Sequence, residues 1–191
     1  MKITKSMVEQ DAAFIFNSLR DTDYVIPDGW TVAKPALKIM GFIALYQCVM
    51  NLVDIAIWGG LKDTSYWFAI FLYSLGPMAF IAFIVYISTF STSTFYACLS
   101  DEVKKKSLLI NLCRQKIRFW LAVSFFMNVG LSIILLIMGS GFVLGQGAGW
   151  FFMILVSGFT ISTSMNRYLT PKAVEAMNKV NDILSPSKSA N

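Results

Sequence analysis

Apolar residues along this chain gather into four runs, and the charged residues fall between them. Residues 64–100 contain no Asp, Glu, Lys or Arg, and residues 119–166 contain none either. A hydrocarbon core about 30 Å thick takes about 20 apolar helical residues to cross. The first uncharged interval therefore holds one crossing and the second holds two. A further run, 39–60, is interrupted only by Asp54. The pattern predicts an all-α polytopic membrane protein with transmembrane helices at 37–58, 67–90, 119–138 and 148–166. Around them lie a polar helix and linker at 1–36, a basic connection at 91–118 and a polar helix and tail at 167–191.

The polar segments carry helical patterning of their own. Ser6 and Glu9 have the spacing of a capping box, and Val8, Ala12, Ile15 and Leu19 then line one face at helical period. Asp21-Thr22-Asp23 and Ile26-Pro27-Asp28-Gly29 predict the end of that helix. In the basic connection Leu108, Leu109 and Leu112 oppose the Lys104, Lys105, Lys106 run. Thr170-Pro171 predicts an N-cap with proline at the first helical position. Ala173, Met177, Val180 and Leu184 form the apolar stripe behind it, and Ser185-Pro186 ends it.

Composition agrees: 56% of the 191 residues are hydrophobic and 14% charged, against about 25% charged in soluble domains. The distribution of charge predicts orientation. Of the sixteen Lys and Arg residues, all but Lys62 lie before the first run, between the second and third, or after the fourth. Lys and Arg concentrate in short cytoplasmic segments, so both termini are expected in the cytoplasm of a bacterial inner membrane. The net charge of +5 then reads as topology and contact with anionic lipid, with no nucleic-acid partner. The polar, mixed-charge residues 1–37 predict a retained first anchor and no cleaved signal peptide. Cys48, Cys98 and Cys113 are an odd set, none expected on the outer side, which argues against a disulfide framework.

Asp54 is the one acid within a predicted span, and such a residue is a functional candidate by default. It would serve as a proton or cation site or an ion-pair partner; its place near the end of its span favours a carboxylate that reaches the headgroups. Gln47, Asn51 and Asn128 are placed to hydrogen-bond between helices. Gly141, Gly145 and Gly149 have the spacing that lets helices approach closely, but with Gly139 and Gly147 interleaved the stretch reads as a turn. Gly76-Pro77 predicts a kink, and the hydroxyls from Ser88 to Thr94 are expected to bond back along their own helix. Trp58, Trp67, Trp120 and Trp150 fall near predicted span ends, as interface anchors do.

The chain has no histidine, which removes the commonest general base and the commonest metal ligand together. No paired intramembrane acids, G-x-S-x-G or phosphate-binding glycine loop is present. The expectation is a protein without catalytic, cofactor or metal site that recognises another protein. Candidate contact residues are Val8 and Ile15, Lys104, Lys105 and Lys106, and Met177 and Val180.

The N-terminal helix 1–29, the approach 30–37 to the first span, and Ser164-Met165-Asn166-Arg167-Tyr168 leading into an amphipathic helix give a layout that resembles the TraS-type entry-exclusion proteins of F-like conjugative plasmids. That family has no motif that can be placed residue by residue here, so it assigns no positions. The resemblance implies an inner-membrane protein of a recipient cell that blocks redundant DNA transfer by recognising a TraG-type mating-apparatus protein of the donor. An immunity protein against a membrane-active toxin, a membrane subunit of a secretion system and a small transporter share the same physical form.

Overall fold

The computed structural model describes residues 3–21, 26–58 and 63–184. It is helical, with no strand among the described residues. Helices α1 (Lys5–Asp21), α2 (Gly29–Ile57), α3 (Thr64–Cys98), α4 (Asp101–Lys106), α5 (Leu108–Met138), α6 (Gln146–Asn166) and α7 (Pro171–Leu184) follow in order, with a 3₁₀ turn at Phe142–Gly145 before α6. Four stretches are long and apolar enough to cross a bilayer: Gly29–Ile57, Thr64–Cys98, Leu108–Met138 and Phe142–Asn166, of mean hydropathy 1.7, 2.2, 2.4 and 1.6. The protein is a multi-pass membrane protein of the all-α class.

Each of the four long helices starts before the span predicted for it, and for α2 and α3 a local cap sets that start. Asp28 accepts from the Thr31 amide at 3.3 Å and starts α2 eight residues before the predicted span, so Ile26-Pro27-Asp28-Gly29 begins a helix as well as following one. Asp63 accepts from the amides of Ser65 and Tyr66 at 3.0 and 3.2 Å and starts α3. This capping holds the Asp63 carboxyl below its usual range, the Ser65 hydroxyl contributing most. Helix α1 starts two residues earlier than the Ser6–Glu9 box predicts. Thr4 Oγ1 accepts from the Met7 amide at 3.4 Å, and Ser6 already lies within the helix. The basic connection splits at Ser107, whose extended backbone closes α4 and leads directly into α5. Thr170 caps α7 as expected, accepting from the Ala173 amide at 3.2 Å.

The chain divides into two units. One comprises 1–32, 92–119 and 158–191, the other 33–91 and 120–157. In the first, Val8 and Ala12 of α1 bury against Ala173 of α7, while Ile15 and Leu19 bury with Cys98, Leu99 and Val103. In the second, Met40, Ile43, Met78, Ile81 and Trp150 form the core, with the Tyr46 ring edge-on to Trp150 at 5.9 Å. Trp150 is therefore a core residue, 4% exposed, and not the interface anchor its place near a predicted span end implied. In this unit Phe68, Tyr73, Phe80, Phe83 and Phe126 are exposed, as side chains that face lipid must be.

Candidate functional site

The interior of the second unit is polar along one line. Asn51 Nδ2 of α2 donates to Ser74 Oγ of α3 at 2.6 Å, and Gln47 Nε2 donates to Asn51 Oδ1 at 2.9 Å and to the Val143 carbonyl at 3.3 Å. On α5, Asn128 Nδ2 bonds back to the Ser124 carbonyl at 2.9 Å and Ser132 Oγ to the Asn128 carbonyl at 2.6 Å. Gln146 of α6 donates to Ser132 Oγ and, at 3.3 Å, to the Asn128 carbonyl. Tyr46 and Ser132 hydroxyls pair at 2.8 Å. Gln47, Asn51 and Gln146 are fully buried and Asn128 is nearly so. Amides in hydrocarbon must find partners or cost several kcal/mol each, so these bonds tie α2 to α3 and α5 to α6. The carbonyl oxygens of the Gln47, Asn128 and Gln146 side chains have no hydrogen-bond partner among the described residues.

Asp54 lies at one end of this line, and its geometry corrects the headgroup expectation. It is 0% exposed; its carboxylate accepts from the Tyr66 hydroxyl at 2.6 Å and from the Gly141 amide at 3.3 Å. The Tyr66 oxygen also pairs with Ser140 Oγ at 2.7 Å. A carboxylate so held turns inward and fixes the turn between α5 and α6. Gly139 and Gly141 have φ of +140° and +79°, so the turn reading holds for them, and the left-handed Gly141 is what aims its amide at Asp54. Gly149, inside α6, has the other role: an added Cβ would lie 2.3 Å from Leu131 Cδ2 and 3.0 Å from Asn128 Oδ1, so it permits close approach of α5 and α6. Thr89 bonds back to the Val85 carbonyl at 2.8 Å, as expected of that hydroxyl run.

In the first unit the residues proposed to meet a partner divide. Val8 and Ile15 are 2% and 8% exposed and are covered by the chain's own α7 and by Cys98, Leu99 and Val103. Their stripe is an internal packing face, because α1 has neighbours in sequence-distant segments that the pattern alone could not place. The side chains of Met177 and Val180 lie outside the described residues. Lys104 lies over the Tyr96 ring at 5.4 Å and reaches Asp101 at 3.9 Å. Lys106 bonds Glu102 at 2.7 Å and thereby holds that carboxyl below its usual range. Lys105 is exposed.

One buried acid escaped the sequence reading. Asp11, placed between Val8 and Ile15 at helical spacing and so at the border of α1's apolar stripe, accepts from Ser107 Oγ at 2.8 Å and from the Leu108 and Leu109 amides at 2.9 and 2.8 Å. The first amides of a helix lack intrahelical partners and carry partial positive charge; Asp11 supplies that cap to α5 from another helix. Among the described residues no group of His, Cys, Asp and Glu is arranged to hold a metal, and the three cysteines are free. Compared with protein-family models, curated proteins and solved structures, the chain matches none.

Proposed function

We propose that this chain is a non-enzymatic recognition protein of the bacterial inner membrane, with both termini in the cytoplasm, acting in entry exclusion. In this reading it recognises a TraG-type protein of an incoming donor and blocks redundant DNA transfer. The observation that carries the recognition role is the inward closure of the bundle's polar groups. Gln47, Asn51, Asp54 and Gln146 each bond another element of the same chain, which suits a rigid scaffold that works through its outer surface. The exclusion role rests on the layout of polar helix, spans and basic tail.

Because the Val8 and Ile15 face is consumed internally, the contact surface falls on exposed positions, of which Lys105 and Lys106 are the basic pair on α4. The test is a recipient cell that carries only this gene. Conjugal transfer into it should fall, and Lys105→Glu with Lys106→Glu should restore transfer at unchanged membrane abundance. Normal transfer combined with protection from a pore-forming toxin would replace exclusion by immunity. No protection in either assay, with solute flux from the purified protein in liposomes, would refute recognition.

A further inference from the structure

Two cations meet on one neutral oxygen in the first unit. Lys116 Nζ of α5 donates to Ser164 Oγ of α6, and Arg167 Nη2 donates to the same oxygen at 3.0 Å. Arg167 Nε is fixed on the Ser164 carbonyl at 3.1 Å, and its guanidinium lies 5.7 Å from the Tyr168 ring centre. Donors that share one acceptor stand about 6 Å apart at most, twice a hydrogen-bond length, so the two positive charges repel. Among the described residues neither forms an ion pair with an acid. The acids of this unit whose side chains are described are engaged elsewhere: Glu9 on Lys5, Asp11 on the α5 amides, Asp28 on the Thr31 amide, Asp101 and Glu102 on Lys104 and Lys106, Glu175 on Lys179. Both cations also flank the same uncharged stretch, 119–166, where its two ends leave the apolar region.

We propose that Lys116 and Arg167, spaced by Ser164, bind the phosphodiester of an anionic phospholipid. A guanidinium presents a planar fork to phosphate oxygens and an ammonium adds a point charge. The position at the edge of the apolar stretch favours a lipid headgroup over free phosphate. The inference is independent of the exclusion reading.

The test uses the full chain in detergent with equal phosphatidylglycerol and phosphatidylcholine, bound lipid being counted by native mass spectrometry. Phosphatidylglycerol should be preferred. Lys116→Gln with Arg167→Gln should reduce that preference about tenfold, the loss expected for charge-assisted bonds, and Lys179→Gln should leave it unchanged. Lys116→Arg should retain it, and that variant keeps both charges, so it and the two single glutamine variants read the site if the double variant does not fold. Excess inorganic phosphate should not displace the lipid. No preference for the anionic lipid, full retention by the folded double variant, or displacement by inorganic phosphate would each overturn the proposal.

Discussion

Replacing Asp11 by alanine removes one acceptor from three donors at once. The Leu108 and Leu109 amides lose the cap of α5, a loss worth about 0.5–2 kcal/mol. Ser107 is fully buried, and its hydroxyl loses the acceptor it meets at 2.8 Å, which costs about 1–3 kcal/mol. Together the change should weaken docking of α1 by about 1.5–5 kcal/mol, a shift of about 10- to 4,000-fold in the opening equilibrium at 1.4 kcal/mol per decade. Asp11→Asn should recover only part, since its amide turns a donor towards donors. Cys98 reports the opening directly: it is 8% exposed and packs with Ile15 and Leu19 of α1. With Cys48 and Cys113 changed to serine, maleimide should modify Cys98 slowly in the parent and faster in both Asp11 variants, in proportion to the open population. Equal labelling rates in all three proteins would refute the idea that this carboxylate holds α1.

Gly149→Ala should lower thermal stability in detergent, because overpacking against Leu131 and Asn128 costs about 1–3 kcal/mol and outweighs the roughly 1 kcal/mol that alanine gains in a helix; adding Leu131→Ala should recover part of the loss. Asp54→Ala should also destabilise, by about 1–3 kcal/mol, since the Gly141 amide and Tyr66 hydroxyl lose their acceptor; a thermal midpoint equal to the parent's would restore the headgroup assignment. Alkaline phosphatase fused after Asn191 should be inactive and fused within 59–66 should be active; an active C-terminal fusion would refute the proposed orientation.

The four spans were legible because hydrocarbon forbids charge, and the gaps at 64–100 and 119–166 are that prohibition written in residues. Their ends were less legible. Asp28 and Asp63 extend α2 and α3 by capping, and a capping aspartate looks like any loop aspartate until its amides are placed. The inward line was half visible: Gln47, Asn51 and Asn128 stood out as amides in apolar runs, but Gln146 lay in a glycine-rich stretch that read as turn. Asp54 was misjudged because depth along a helix says nothing about which way a side chain faces. The α1 stripe was correctly read as apolar, but a stripe does not name its cover, and Ala173 lies 161 residues beyond Ala12 by their numbering. Lys116 and Arg167 counted only as topology until Ser164 brought them together.

The unit that contains α1, α4 and α7 is stitched from three stretches, 1–32, 92–119 and 158–191, with a pair of apolar helices between each and the next. Stretches can touch only when they emerge on the same face of a bilayer. Asp11 on Leu108 and Val8 beside Ala173 therefore each require an even number of crossings between them. These contacts amount to a parity check on insertion: one helix left out of the membrane would strand a stretch on the wrong face and leave α1 bare. The check also completes late in synthesis, since the cover for Val8 is made only when the ribosome reaches α7.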